Sequence, residues 1–307
     1  MYLPRQTRTA LITGGSSGLG AQFAEQLAQR GYDLVLIARS SSRLDRVAAH
    51  VRTTHGVRAD VVSRDLAAPD AADRINAWLA SHSRIVDLLV NSAGFGTAGR
   101  FEQIPPGQDH DQLMVNVVAL TSLTRALVPG MLDRGDGAII NVGSAAGFQP
   151  APYFAAYGAA KAYVLNFSLA LRAEYRHRGV RVLALMPGPT DTAFFDTIGT
   201  RAAIGGRMMA PDTVVRAALR ALDRDRAYVV PGFSNQIGAH LTPRRPRRLV
   251  TAISERVTRH VLDASTPTST PETDRHGSAG TPPPSNDAQP TLGGQPARSP
   301  AGSPDTT

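Results

Sequence analysis

No cysteine occurs in the 307 residues. That absence excludes disulfides, thiol nucleophiles and thiolate metal sites, and it fits a reducing compartment without requiring one. No stretch approaches the roughly 20 consecutive apolar residues that a spanning helix needs. The opening MYLPRQTRTALITGG runs straight into an apolar strand pattern with no signal-peptide organisation, so the expected compartment is the cytoplasm. The eight histidines show no metal-ligand spacing, and no catalytic metal is expected. Two further signatures are missing. The early glycine turn lacks the closing lysine and Ser/Thr of a nucleotide-hydrolase phosphate loop, and GSAAG is not the G-x-S-x-G elbow of a serine hydrolase.

Core-forming residues also become scarce toward the end. From Asp263 the chain is dominated by Pro, Ser, Thr, Gly and Asp, with Leu292 almost alone as a sizeable apolar residue. Such a segment buries too little surface to offset its ordering entropy. The expectation is one folded domain over 1–262 and a disordered tail over 263–307. The formal charge is +8, and because the tail is net acidic the positive charge concentrates in the folded part. The densest basic run is Arg244, Arg245, Arg247 and Arg248. It has no nucleic-acid motif around it, so nucleic acid is not an expected partner. A solvated surface is the favoured reading, with an oligomer contact or a peripheral membrane contact as alternatives.

What the chain does have is alternation. Apolar runs at 9–14, 33–39, 57–62, 86–94, 138–144 and 180–188 read as strands, separated by helical patterns at 19–30, 41–55, 70–82, 109–134 and 154–178. Near-continuous Val, Leu and Ile runs suit parallel strands buried on both faces, and the helices suit crossovers. The fold class is α/β, a doubly wound parallel sheet in a Rossmann-like three-layer sandwich. Past Pro189 the period is lost until a helix beginning at Pro211, a last strand at 226–232, and an amphipathic helical pattern over 236–262.

Two patterns carry chemistry. TGGSSGLG places Gly14, Gly18 and Gly20 between a strand and a helix, where a sharp turn exposes backbone N–H groups to phosphates. In NVGSAAGFQPAPYFAAYGAAKAYVLNF, Tyr157 and Lys161 stand four apart, on one face of a helix, with Ser144 upstream. A free phenol titrates near 10, and a neighbouring ammonium eases its ionisation. Carbonyl reduction needs such a group.

Several spaced elements agree in order: Thr13-Gly14-x-x-x-Gly18-x-Gly20, Asp65-Leu66, Asn91-x-Ala93-Gly94, Asn116, Ser144, Tyr157-x-x-x-Lys161, and Pro187-Gly188 with Thr192. In these the chain resembles the short-chain dehydrogenase/reductase superfamily, in its compact single-domain form, over about residues 7–235. The resemblance implies a nicotinamide-dependent oxidoreductase in which Tyr157 is the general acid/base. Lys161 eases its ionisation and holds the nicotinamide ribose, Ser144 polarises the carbonyl, and Asn116 holds a relay water. It also implies cofactor contacts from Gly14, Ser16, Ser17, Gly18, Leu19, Gly20, Asn91, Ala93, Gly94, Tyr157, Lys161, Pro187, Gly188, Thr190 and Thr192. Asp65 would meet the adenine amino group, with Leu66 beside the ring. Ser92 stands where relatives commonly carry a second asparagine.

The end of the second strand offers Arg39, Ser40, Ser41, Ser42 and Arg43 rather than an acidic residue. A guanidinium can pair with a 2′-phosphate, so NADP(H) is favoured, with NAD(H) left open. Ser17 departs from the basic residue that many phosphate-preferring relatives place before the middle glycine. Phe95, Phe148, Gln149, Tyr153, Phe154, Met186, Phe194, Phe195, Met208 and Met209 border the expected site and point to a hydrophobic carbonyl or alcohol as substrate. The other classes kept in view are an NAD(H)-dependent alcohol dehydrogenase, a non-catalytic cofactor-binding protein and an epimerase or dehydratase. Family resemblance implies a homodimer or homotetramer through 109–134 and 154–178.

Overall fold

The computed structural model describes residues 7–194, 208–241 and 244–263. Seven parallel strands form one sheet: β1 (Thr9–Thr13), β2 (Asp33–Ala38), β3 (Ala59–Ser63), β4 (Leu88–Asn91), β5 (Gly137–Val142), β6 (Val180–Leu185) and β7 (Tyr228–Val229). Their spatial order is β3-β2-β1-β4-β5-β6-β7. The order reverses between β1 and β4, and at such a switch point diverging loops open a crevice beyond the carboxyl ends of the strands.

Alternation along the strands sorts the core into two layers. Ala10, Ile12, Leu34, Leu36, Leu88, Val90, Ile140 and Leu183 face a cluster completed by α1 (Gly18–Gln29), α2 (Ser41–His55) and α6 (Pro211–Asp223). Leu11, Val35, Ile37, Leu89, Ile139 and Val182 face the opposite cluster, built on α3 (Ala71–Ser81), α4 (Gln108–Arg134) and α5 (Ala155–Tyr175). The period of two sends successive side chains to opposite faces, so continuous apolar runs are what a sheet covered on both sides requires.

Three elements differ from their sequence expectations. α4 is one continuous rod, but Met114–Ala119 is wound as a π-turn, and Asn116 lies in it. This helix is long and apolar enough, by length and composition, to cross a bilayer. The run is broken by Gln112, Asn116 and Thr124, all buried, and Leu120, Leu123, Val128 and Met131 pack against the sheet side, which makes α4 a layer of this fold. The last strand is only Tyr228–Val229, because Pro231 and then Gly232 at φ 88° turn the chain into the next helix. The amphipathic stretch is two helices, α7 (Phe233–Leu241) and α8 (Arg247–Asp263), and Pro246 cannot continue a helix arriving from the N-terminal side. Of the tail expected over 263–307, Asp263 is the last residue of α8, and 264–307 lie outside the described residues, as does Phe195.

Candidate active site

The cleft at the switch point begins with Thr13. Its hydroxyl oxygen accepts from Ser92 N–H and Ala93 N–H, both at 3.0 Å, which fastens the loop after β4 to the end of β1. Gly14 fits beneath that loop at φ 69°; a Cβ there would stand 2.9 Å from Ala93 Cα, so both the dihedral and the close approach call for glycine. Gly20 is pressed on the turn from the helix side, and a Cβ would come within 2.1 Å of Gly14 O. Ser17, at the head of α1, makes no side-chain cap, and no acidic residue occupies the first turn. The first N–H groups of α1 are thereby left for an anion, as a dinucleotide pyrophosphate would require. Gly14→Ala is expected to cost about 1–3 kcal/mol of stability through backbone strain alone, read as a lowered urea midpoint.

The cleft has a volume of about 820 Å³. Gly14, Ser16, Ser17, Gly18, Leu19, Gly20, Arg39, Asp65, Leu66, Ala93, Gly94, Ser144, Tyr157, Lys161, Pro187, Gly188, Thr190 and Thr192 all line it. Two of the sequence-assigned residues are set behind the wall. Asn91 is buried with its side chain in the α4–α5 layer, donating to Asn141 Oδ1 at 2.9 Å and Thr124 Oγ1 at 3.2 Å, and Asn141 donates onward to Ser168 Oγ at 3.0 Å. Its side chain therefore braces the sheet against the catalytic helix. Asn116 is also buried, with Nδ2 donating to Phe95 O at 2.8 Å. Its Oδ1 has no hydrogen-bond partner and faces Gly94, where a Cβ would lie 2.4 Å from that oxygen and 3.4 Å from Lys161 Nζ. Gly94 keeps open the space between the two polar groups.

β5 delivers Ser144 just past its last residue, Val142, and α5 delivers Tyr157 and Lys161. The turn Ala145–Phe148 packs on α5 so closely that a Cβ at Gly147 would be 2.6 Å from Lys161 O. Lys161 is 5 % exposed, and its ammonium donates to Val142 O at 3.0 Å while standing 5.6 Å from the centroid of the Tyr157 ring. Burial pushes the Tyr157 phenol up to about 12, and the hydrogen-bonded Ser144 hydroxyl pulls in the opposite direction. Burial drives Lys161 down to about 8. Burial thus favours a firmly protonated phenol and an ammonium that loses its proton unusually easily.

That lysine is expensive for the fold. An ammonium with its folded value at about 8 rather than 10.5 destabilises the native state wherever it is charged, by about 3 kcal/mol. The folded protein gives up this proton before the unfolded chain does, so stability rises as pH passes from 8 toward 10, below the window in which Tyr157 acts in the reverse sense. Lys161→Met is expected to be more stable than the parent at pH 7 and to lose that advantage by pH 10, as urea unfolding at both values would show.

The cleft is lined by more cations than the sequence reading singled out. Arg39 and Arg43 line the cleft as expected, and Arg64 joins them from the end of β3, with a buried Nε that has no partner. Asp65 lines the cleft while its Oδ1 accepts from Ala67 N–H at 2.9 Å. A dinucleotide bearing a 2′-phosphate fits this chemistry: three guanidiniums at one end, a glycine turn in the middle, and the Gly94 space beside Lys161 at the other. Among the described residues no cluster of His, Asp or Glu could hold a metal ion.

The apolar wall is partly as assigned. Phe95, Phe148, Gln149, Phe154 and Phe194 line the cleft, with Phe194 tilted on the Tyr157 ring at 5.4 Å. Met186 instead fills the core, and Tyr153, at φ 64°, lines a neighbouring cavity. Also absent from the sequence reading are α7, which brings Ser234, Asn235, Gly238 and Ala239 to the cleft, and α8, which brings Ser254, Val257 and Thr258.

Residues 8–203 match the sequence model of the family described as short chain dehydrogenase. A curated relative, the very-long-chain 3-oxoacyl-CoA reductase of Anas platyrhynchos, is 37 % identical over 183 residues, covering 58 % of this chain and 58 % of that protein. The chain therefore spans less than two thirds of that relative's length. Among solved structures, a short-chain dehydrogenase from Sphingobium yanoikuyae in complex with NADPH is 36 % identical with a TM-score of 0.71, over 77 % of this chain and 93 % of that one. A bulky-bulky ketone specific alcohol dehydrogenase from Comamonas testosteroni is 32 % identical with a TM-score of 0.68, over 81 % and 95 % of the two chains.

Proposed function

The chain belongs to the short-chain dehydrogenase family, and from that premise we propose that it is an NADP(H)-dependent oxidoreductase interconverting a hydrophobic carbonyl compound and its secondary alcohol. The observation that carries the reading is the meeting of Ser144, Tyr157 and Lys161 at the carboxyl ends of β5 and β6, in the same cleft as the glycine turn and Arg39. A bound nicotinamide dinucleotide supplies the hydride. Tyr157 holds the proton that the carbonyl oxygen receives. Ser144, already bonded to that phenol, orients the oxygen and shares its developing charge. Lys161 stabilises the phenolate left behind, and its charge, together with the Asn116 oxygen across Gly94, provides a way for the replacement proton to arrive through water.

Hydrophobic substrate preference rests on Phe95, Phe148, Phe154, Phe194 and Val257 along the cleft, in keeping with the long-chain and bulky-ketone names of the relatives. Titration followed by nicotinamide emission tests the cofactor half, because the sole tryptophan, Trp78, sits on α3 away from the cleft lining. Saturable NADPH binding tighter than NADH is expected; no binding of either refutes the proposal. For the substrate half, kcat/KM for bulky aryl or long-chain ketones should exceed that for a small keto acid by about 100-fold, and the reverse order would reject the apolar reading.

We assign the protein to the cytoplasm as a homodimer or homotetramer joined through α4 and α5. Leu113 and Val118 on α4 and Tyr163 on α5 are exposed large side chains, and Tyr163 stacks on Phe167 while bonding Thr121 across the two helices at 2.9 Å. An elution mass of a dimer or tetramer at micromolar concentration is the expected result, and a monomer alone would refute it.

A further inference from the structure

Two helices near the end of the described chain carry the same exposed pattern. On α7, Phe233, Ile237 and Leu241 stand four residues apart; on α8, Leu249, Ile253 and Val257 do the same. Exposure runs from 45 % at Ile237 to 79 % at Phe233, and these are six of the eleven large apolar side chains exposed among the described residues. Spacing of four places each trio in one stripe along its helix. A stripe of that kind is ordinarily the face a helix buries. α8 already buries a different one, with Val250 and Ser254 turned inward and the Ser254 hydroxyl donating to Pro150 O at 2.9 Å. The side of α8 that the protein covers is therefore the one carrying Val250 and Ser254, and the adjoining Leu249–Ile253–Val257 stripe is left exposed.

Charge indicates what covers that stripe. With 3.6 residues per turn, Arg256, Arg259 and Arg248 follow the Leu249–Ile253–Val257 stripe around the outer side of α8, and Arg244, Arg245 and Arg247 stand at its head, all exposed. The one acidic side chain described on α8, Glu255, is paired with Arg259. A second copy meeting this surface through a two-fold axis would bring its own arginines to the same contact. A layer of acidic headgroups complements both features, since the apolar stripe enters the acyl boundary while guanidiniums reach the phosphates. Val257 belongs to the stripe and to the cleft wall alike, and Gly238 and Ala239 bring α7 to the same cleft.

We propose that the outer faces of α7 and α8 form a docking surface for an anionic phospholipid bilayer. Docking stands independently of catalysis; the corollary, that a lipophilic carbonyl compound passes from the bilayer to the cleft past Val257, rests on the oxidoreductase reading. Co-sedimentation of the full chain with vesicles of phosphatidylcholine alone, and of phosphatidylcholine mixed with phosphatidylglycerol, reads binding without any turnover. Partitioning onto the anionic vesicles should exceed that onto neutral ones by at least about tenfold at low ionic strength and weaken as salt is added. The double variant Leu249→Ser with Ile253→Ser should lose about tenfold or more of that binding while keeping the parental circular dichroism and melting temperature. Arg248→Glu with Arg256→Glu should lose the preference for anionic lipid. Absence of wild-type binding to either vesicle overturns the proposal, as does a double variant that sediments like the wild type. A double variant whose elution mass falls while its vesicle binding persists assigns the stripe to a contact between copies and likewise overturns it.

Discussion

Tyr157→Phe should bind NADPH within about twofold of the parent and lose about 10³-fold in kcat, the middle of the range for deletion of a positioned general acid. The expectation follows from how little else the hydroxyl does. Tyr157 is seated by its ring against Phe194 and by the backbone of α5, neither of which the substitution disturbs. The hydroxyl's bonding partner is Ser144, whose oxygen also accepts from Ala146 N–H at 3.1 Å and so keeps its place when the phenol is gone. Only the transferable proton leaves. Melting temperature should stay close to the parental value, and the loss should fall on kcat rather than on the KM for NADPH. A variant retaining near-parental turnover would remove Tyr157 from the chemistry.

The second large effect concerns selectivity. Arg39→Asp should shift the ratio of NADPH to NADH affinity by about 100-fold toward NADH, since a charge-assisted bond to phosphate is lost and a carboxylate suited to ribose hydroxyls takes its place. Arg39 is exposed at the cleft edge just beyond β2, where the chain enters α2 under the Ser40 cap. Arg43 and Arg64 line the same end, so residual NADPH binding is expected in the variant. An unchanged ratio would move the discriminating contact from Arg39 to those two arginines, and Arg64→Ala, whose buried Nε already lacks a partner, would then show the larger effect.

Local chemistry made much of this legible from the sequence. The strand–glycine–helix pattern at 9–30 and the four-residue step from Tyr157 to Lys161 report geometry within one or two turns of chain, where period and turn rules hold. What could not be read this way depends on partners distant in the chain. Ser254, Val257 and Thr258 reach the cleft because α8 lies across the segment at 150–153, about a hundred positions earlier, with Ser254 bonded to Pro150 O. Asn91 looked like a ligand because it ends a strand at the switch point, yet the pleat turns its side chain to the helix layer, where Asn141 and Thr124 await it. A hint was present, since Asn141 is a polar residue inside the apolar run AIINV and a buried polar group calls for a partner. The π-turn around Asn116 had no comparable signal, because its apolar neighbours satisfy a helical period whether the ring closes over four residues or five.

The central claim is that Tyr157, Ser144 and Lys161 reduce a hydrophobic carbonyl group at the expense of NADPH. Its most direct test is the loss of nicotinamide absorbance when purified protein, NADPH and a panel of bulky aryl and long-chain ketones are combined, with Tyr157→Phe run alongside. Ketone-dependent oxidation of NADPH that disappears in the variant is the predicted result. Saturable NADPH binding with no oxidation against any member of the panel, or oxidation that persists in Tyr157→Phe, would contradict it.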